Sequence, residues 1–108
     1  MARKRIKQVT AVEPVTVVVM RLYIAGRAPN SVKAIANLEQ ICRQHLKSSF
    51  KLEIVDVCEH PRRALDDGIL VTPSLTKLLP SPGANVIGNL SDTGSVLAAL
   101  GLSVASSA

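Results

Sequence analysis

The chain has 108 residues, which is enough for one packed domain but not two, because a single domain typically takes about 100 to 150 residues. Apolar residues make up 47% of it and charged residues 19%, as in globular proteins, and no run of about 18 uncharged apolar residues exists to cross a membrane. Thirteen Lys and Arg against eight Asp and Glu give a net charge of +5, which favours acidic partners in general. The composition therefore excludes a multidomain or membrane-spanning protein.

The positive charge is concentrated at the N-terminus. Four of the thirteen cations lie in the first seven residues, in a segment with little apolar periodicity that ends at Pro14. We expect residues 1–14 to form a flexible basic arm and residues 103–108 a flexible tail. A single domain at residues 15–102 would lie between them.

Two sequence features indicate which partners and which cellular compartment to expect. Tyr23 and Phe50 are the chain's aromatic residues, so it lacks the stacking platforms of single-strand and RNA-binding sheets, which argues against nucleic acid as the partner. The apolar run at residues 15–20 is too short for a secretory signal and is followed by Arg21. We therefore expect a cytoplasmic protein with no membrane partner.

The first two elements are a strand and a helix. Residues 15–25 are nearly continuous in apolarity, rich in β-branched side chains and followed by Gly26, which predicts a central strand covered on both faces. Asn30 or Ser31 is then a suitable helix N-cap, and apolar residues recur every three or four positions until a helix end near Lys47. The recurring apolar positions are Val32, Ile35, Leu38, Cys42 and Leu46. The outer, solvated positions are Lys33, Asn37, Gln40, Arg43 and Gln44.

The middle of the chain predicts a second strand, a short helix and a third strand. Residues 51–58 alternate polar with apolar and then become mostly apolar, so they form a strand that the preceding helix connects in parallel to the first. Residues 61–68 form a short helix that opens at a proline and ends at a glycine. Residues 69–79 are strand-like on both sides of Pro73, where the chain must bend or lie at an edge.

The last elements complete the predicted topology. Residues 80–83 form a turn, residues 86–87 a short strand, and Ser91 caps a final helix that runs through Leu102. The order β-α-β-α-β-β-α is that of an α/β, thioredoxin-like domain with one mixed sheet.

The side chains that carry chemistry are isolated. Cys42 and Cys58 are 16 positions apart within apolar patterns and are interpreted as two small buried hydrophobes. Thioredoxin-type redox work needs C-x-x-C at the start of the first helix, where this chain has Arg-Ala-Pro-Asn at residues 27–30. His45 and His60 have no ligand-type spacing to a cysteine. We predict a non-enzymatic binding protein with no catalytic, cofactor-binding or metal-binding residues, and keep a thioredoxin-like thiol protein as an alternative.

Three segments of the chain resemble the KaiB family of circadian clock proteins. The family pattern is LYVAG-x-x-PNS-x-x-A, then VIDV with ATP-x-L-x-K-x-LP-x-P, then IIGDLS. The matching segments are LYIAGRAPNSVKAI (residues 22–35), IVDVCEHPRRALDDGILVTPSLTKLLPSP (residues 54–82) and VIGNLSDTGSVLAALGL (residues 86–102). The spacing is typical of the family throughout, and the sensor domain of the clock-associated histidine kinase has a related pattern.

The resemblance implies that the protein functions by binding other clock proteins. A KaiB protein binds the ring-shaped clock ATPase KaiC on its N-terminal ATPase ring, competes there with the kinase sensor domain and helps to sequester KaiA. The alternatives are a KaiB-like paralogue that acts in stress response or binds another partner.

The resemblance also implies fold switching. In the family, a thioredoxin-like monomer binds KaiC, whereas an alternative pairing of the C-terminal half gives a tetrameric ground state; a homotetramer or homodimer is therefore expected. The positions associated with this switch are Pro73, Pro80, Pro82 and Gly88, with Thr72–Pro73 as the expected cis bond. The Gly and Pro content after residue 68 suits two packings of similar energy, and slow prolyl isomerisation would retard their exchange.

Partner-binding residues follow from the same resemblance. Arg21, Lys33 and Lys77 align with family cations and are the candidate contacts, Lys77 first. A basic pair of the family is replaced here by Ala84 and Asn85, which removes part of the electrostatic complementarity that steers association. The aspartate of the family's GDLS is Asn89 in this chain, and the family's acidic C-terminal tail is replaced by residues 103–108.

Overall fold

The computed structural model describes residues 17–46 and 49–102. The predicted arm at residues 1–14 and tail at residues 103–108 lie outside this part of the chain. In chain order the elements are β1 (Val18–Ile24), α1 (Pro29–Ile41), a π-helical turn (Cys42–Leu46), β2 (Phe50–Asp56), α2 (Pro61–Asp66), β3 (Ser74–Leu79), β4 (Ala84–Ile87) and α3 (Thr93–Ala99). The predicted order of strands and helices is confirmed.

The four strands form one mixed sheet in the order β2-β1-β3-β4. β1 runs parallel to β2 and antiparallel to β3, and β3 runs antiparallel to β4. Because α1 carries the chain across one face of the sheet, β1 and β2 can be parallel, as the sequence predicts. β1 is paired on both sides, which explains its nearly continuous apolar sequence.

The main core fills one face of the sheet beneath α1 and α3. Alternate residues of β1 point into it, because successive side chains of a strand face opposite ways. The buried core members from these elements are Val18, Met20, Leu22, Ile24, Ala34, Leu38, Ile41, Val96, Leu97 and Leu100. The other face carries Arg21 and Tyr23 of β1 and is overlaid by α2, whose one buried residue is Ala64. The first face is therefore held by an extensive apolar core, and the second by a smaller buried set that includes Val55 and Ala64 together with polar contacts.

The start of α1 differs from the prediction. Pro29 occupies the first turn, and the preceding residue, Ala28, provides no side-chain cap, so the predicted cap at Asn30 or Ser31 is wrong. The Ser31 hydroxyl instead accepts a hydrogen bond from the Ala25 N–H at 3.0 Å and is buried. Proline suits this position because its missing N–H would have no partner in the first turn.

Two side chains of α1 lie opposite to their predicted environments. Val32, predicted to face the core, is 52% exposed, since the buried stripe runs through Ser31, Ala34, Leu38 and Ile41. Asn37, predicted to be solvated, donates from Nδ2 to the Asn89 carbonyl at 2.8 Å. This bond fixes α1 to the turn between β4 and α3.

β3 begins only after Pro73. The prediction of a strand on both sides of this residue is wrong for residues 69–73, since proline has no N–H to donate and the chain bends there. The expected cis bond at Thr72–Pro73 is present, and Leu79–Pro80 and Ser81–Pro82 are also cis.

α3 is shorter at both ends than its pattern predicts. Asp92, not Ser91, is the N-cap: its Oδ1 accepts from the Ser95 N–H at 3.2 Å and its Oδ2 from the Ser95 hydroxyl at 2.8 Å. At the other end Gly101 has φ +82°, and the Leu102 N–H donates to the Leu97 carbonyl at 2.8 Å. This glycine-terminated geometry ends the helix before Leu102.

Candidate partner-binding surface

A row of polar side chains crosses all four strands on the face beneath α2. Arg21 lies opposite Glu53 of β2 and Thr76 of β3, and Thr76 lies opposite Asn85 of β4. Arg21 Nε donates to Glu53 Oε1 at 2.8 Å, and Thr76 Oγ1 donates to Asn85 Oδ1 at 2.7 Å. These four residues, Glu53, Arg21, Thr76 and Asn85, are called the polar row below.

Charged contacts join α2 to one half of the polar row. Arg63 of α2 makes two hydrogen bonds to the Glu53 carboxylate, at 2.7 and 2.9 Å. Asp67, directly after α2, accepts from the Tyr23 hydroxyl at 2.5 Å and from Arg21 at 3.4 Å. α2 is thus bonded to β1 and β2, whereas Thr76 and Asn85 on β3 and β4 bond to each other.

These contacts change the acidity of two groups. Hydrogen bonds from Arg63 and then Arg21 lower the pKa of Glu53 to about 2, since both favour the ionised carboxylate. The pKa of Tyr23 is raised, first by burial and then by its hydrogen bond to Asp67, since both favour the neutral phenol. At neutral pH, Glu53 is therefore an anion between two guanidinium groups, and Tyr23 is a hydrogen-bond donor.

The lowered pKa of Glu53 predicts an acid-dependent loss of stability. Because the folded-state pKa lies below the unfolded value of 4.5, this stabilisation is complete above about pH 4.5 and is lost as the pH falls towards 2. We expect Glu53→Gln to flatten the decline of the free energy of unfolding between these pH values, measured by urea titration. Glu59→Gln, which removes an exposed carboxylate that has no ion pair within the described residues, is the control and should keep the wild-type slope. Equal slopes for wild type and Glu53→Gln would contradict the assignment.

The half of this face that α2 leaves open has both polar and apolar character. A cavity of about 230 Å³ lies between the turn after α2 and the Thr76–Asn85 pair. A second cavity of about 210 Å³ shares Gly68, Ile69 and Asn85 with the first. Its wall includes Leu70, 92% exposed, and Ile87, 63% exposed. Exposed apolar side chains beside polar groups suit a protein partner.

A third cavity lies on the opposite face, next to the edge strand β2. It measures about 430 Å³ and is lined by Glu39, Cys42, Arg43, Phe50 and Leu52. Burial raises the pKa of the Cys42 thiol to about 11, so it is an unreactive neutral thiol near pH 7.

The structure does not bring the three candidate cations together. Lys33 is exposed on the outer side of α1, and Arg21 is engaged by Glu53 and Asp67. Lys77 lies on the core face, opposite Met20 in the register, and is only 5% exposed. Of the three, only Lys33 is exposed without an ion pair in the described residues, since Arg21 is partly exposed but paired and Lys77 is buried.

The residues expected from the resemblance to take part in fold switching lie at the two ends of the β3–β4 hairpin. The Gly88 N–H donates to the Pro73 carbonyl at 2.9 Å, and Gly88 has φ +118°, which favours glycine. Pro80 and Pro82 lie in the connection at the other end. Asn85, expected from the resemblance to stand where the family has a cation, belongs to the polar row.

The cysteines and histidines show no combined site within the described residues. Cys42 is buried as predicted, but Cys58 is exposed after β2, so its predicted burial is wrong. Among residues 17–46 and 49–102, no three Cys, His, Asp or Glu side chains are grouped for a metal ion. In the same part of the chain, no helix is long and apolar enough to cross a bilayer.

The fold is similar to solved structures of two kinds. The N-terminal domain of Synechococcus elongatus SasA superposes with a TM-score of 0.65 at 17% identity, covering 87% of this chain and 92% of that one. Chloroplastic thioredoxin z superposes with a TM-score of 0.67 at 18% identity, covering 80% of this chain and 77% of that one. The predicted thioredoxin-like fold is confirmed.

Sequence comparison identifies the family. The KaiB protein of Trichodesmium erythraeum, a circadian clock oscillator protein, is 44% identical over 84 residues, covering 78% of this chain and 81% of that protein. The circadian clock protein KaiB3 of Synechocystis is 46% identical over 87 residues, covering 81% of this chain and 83% of that protein. The profile of the KaiB domain matches residues 21–102. With the profile match over most of its length and these identities, the chain belongs to the KaiB family of circadian clock proteins.

Proposed function

We propose that this chain is a non-enzymatic clock protein that binds a KaiC-type ring ATPase and modulates its phosphorylation and output by exchanging partners on the ring. The observation that carries the proposal is the match of the KaiB domain to residues 21–102 together with 44% identity to a clock oscillator protein. Proteins that share a fold can present similar surfaces to one site, and the likeness to the SasA domain, with a TM-score of 0.65, supports competition of that kind. A KaiA-like protein and a clock histidine kinase are the further expected partners.

Lys33 is proposed as the cation that touches the ring directly. Its side chain is exposed on α1, and none of the ion pairs of the described residues involves it, so its charge is available to an acidic partner. Arg21 and Lys77 are proposed to contribute through the fold, because one is engaged on the sheet and the other is buried.

Size-exclusion chromatography with light scattering tests the proposal. The protein is run alone and then with a KaiC-type ATPase and nucleotide, and we expect wild type to co-elute with the ring. Lys33→Glu should weaken co-elution by about tenfold or more, as charge reversal at a direct contact costs on the order of 1.4 kcal/mol. Lys51→Glu, which reverses another exposed lysine, is the matched control and should behave as wild type.

The possible results test ring binding and the contact at Lys33 separately. If wild type and ring run as two species at high protein concentration, ring binding is wrong. If Lys33→Glu and Lys51→Glu co-elute equally well, ring binding stands but the contact at Lys33 is wrong.

The same run of the protein alone tests the resting state. A mass of four chains would support a stored homotetramer, and a mass of two chains a homodimer. A monomeric mass at every concentration, with one set of amide NMR peaks and no slow exchange, would leave fold switching without support.

A second candidate function is binding to a different partner, such as one that acts in stress response. It is favoured by the neutral Ala84 and Asn85, because Asn85 is bonded to Thr76 and offers no charge where the family has a cation. Affinity purification that recovers a protein other than a KaiC-type ATPase, together with no co-elution with the ring, would favour it.

A further inference from the structure

Residues 61–69, which comprise α2 and the turn after it, are weakly packed. α2 has six residues, one of which, Ala64, is buried, and its N-cap His60 provides no side-chain hydrogen bond. Leu65 is 75% exposed on its outer side. Beneath α2, Val55 of β2 and Tyr23 of β1 are nearly fully buried, so apolar contacts cover part of this face. Because a helix this short is unstable without tertiary contacts, side-chain hydrogen bonds to the sheet add to this small apolar area.

The backbone hydrogen bonds of this segment are local. The Ile69 N–H donates to the Ala64 carbonyl at 2.9 Å and the Gly68 N–H to the Leu65 carbonyl at 3.1 Å, both within the segment. The bonds at its start, from the N–H groups of Glu59 and His60 to the Asp56 carbonyl, lie before α2. Within the described residues, no backbone bond ties residues 61–69 to a strand, so the segment can move as a unit without breaking the sheet.

Side-chain contacts provide the attachment. One is the pair of hydrogen bonds from Arg63 to Glu53, and the other is the contact of Asp67 with Tyr23 and Arg21. The ion-paired side chains are 23 to 48% exposed, so salt screens them and each contributes little. Tyr23, by contrast, is 1% exposed, so its hydrogen bond to Asp67 is the contact best shielded from solvent.

The turn provides the freedom to move. Gly68 has φ +73° and no atom within 4 Å of the position of an added Cβ, so there is open space around it. From residue 70 the chain is exposed until Thr72, and its next backbone hydrogen bond in the described residues is the one that Pro73 accepts from Gly88.

We propose that residues 61–69 form a flap, closed over the sheet by the Tyr23–Asp67 and Arg63–Glu53 contacts, that opens independently of the rest of the domain. Opening exposes the Tyr23 hydroxyl and the Arg21 guanidinium and joins the two halves of the polar row into one accessible surface. The flap would make the exposure of this surface sensitive to ionic strength. The proposal does not depend on the identity of the ring partner.

Amide hydrogen exchange measured by NMR tests the flap directly. The reporters are the amides of Arg63, Ala64 and Ile69, each of which donates a hydrogen bond within the segment or at its start. Amides of β1 and β3 report on the whole domain. A six-residue helix that leaves the sheet also loses its internal hydrogen bonds, because it is too short to be stable alone. Local opening therefore appears as faster exchange in the first group alone.

Asp67→Asn and Asp66→Asn form a matched pair of variants. Both remove one carboxylate at the end of α2, but only Asp67 contacts Tyr23 and Arg21 within the described residues. We expect Asp67→Asn to accelerate exchange of the flap reporters by about tenfold or more, since a hydrogen bond to a charged group contributes on the order of 1.4 kcal/mol or more. In Asp66→Asn the flap reporters should exchange at the wild-type rate. In the wild-type protein, 0.5 M salt should increase the exchange rate of the same amides.

Tyr23→Phe is the second test, because it removes the donor while keeping the ring. It should reproduce the effect of Asp67→Asn on the flap reporters. The proposal is overturned if flap exchange is unchanged in both variants or rises equally in Asp66→Asn. It is also overturned if β1 and β3 amides accelerate in parallel with the flap, because the contact would then support the whole fold.

Discussion

Replacing Leu22 by alanine is expected to lower the free energy of unfolding by about 2 to 5 kcal/mol. Leu22 has no exposed surface and lies at the middle of the central strand, opposite Ile54 of β2 and Leu75 of β3. Its neighbours belong to paired strands and to the helices packed over them, so they cannot close the cavity that the substitution leaves. Urea unfolding followed by circular dichroism measures the loss.

Leu65→Ala is the control for this substitution. The Leu65 side chain is 75% exposed on α2, so its truncation should change stability by less than about 0.5 kcal/mol. Similar losses for the two variants would show that β1 is not the centre of the core.

Local sequence patterns were sufficient to predict the order of strands and helices, because the residues that form the main core are those of the apolar patterns. The β-branched run that ends before Gly26 became the strand paired on both sides, and the helical spacing of Leu38 and Cys42 became the buried side of α1 and its π-helical continuation. Errors occurred where a proline or a cap decides the boundary. The sequence predicts a strand on both sides of Pro73 with a bend or an edge at the proline, whereas the strand begins only after it.

The polar row could not be predicted because it depends on register. Arg21 and Glu53 are 32 positions apart and meet only because β1 and β2 pair in one particular register. Tyr23 and Asp67 are 44 positions apart and meet through the position of α2. A strand pattern specifies which side chains share a face but not which residue lies opposite, so both contacts became visible only in the assembled sheet.

The buried position of Lys77 follows from the alternation of side chains along β3. Leu75 and Lys77 are two positions apart in one strand, so their side chains share a face, and Leu75 is a core residue. The family resemblance drew attention to the charge of Lys77 as a partner contact, whereas the alternation of β3 places it inside. A lysine two positions from a core leucine in the same strand therefore lies on the buried face, although lysine is seldom buried.

The surroundings of the Lys77 ammonium make its burial costly. The side chain is 5% exposed, and the ion pairs of the described residues all involve Arg21 or Arg63. Its Nζ would lie 3.6 Å from a Cβ placed on Gly101, just past the C-terminal end of α3. The negative end of a helix dipole attracts a cation, by about 0.3 to 2 kcal/mol, but the loss of hydration of a buried ammonium costs more.

Lys77→Met is therefore expected to raise the free energy of unfolding by about 1 to 3 kcal/mol, because methionine keeps most of the volume and removes a buried donor that has no ion pair in the described residues. Lys51→Met, made at an exposed lysine of β2, is the matched control and should leave stability within about 0.5 kcal/mol of wild type. Urea unfolding of the three proteins measures both effects. Since Lys77 acts through the fold in our proposal, Lys77→Met should also retain co-elution with the ring ATPase. A loss of stability would show instead that the ammonium holds α3 in place, and a more stable variant that no longer co-elutes would return Lys77 to the partner interface.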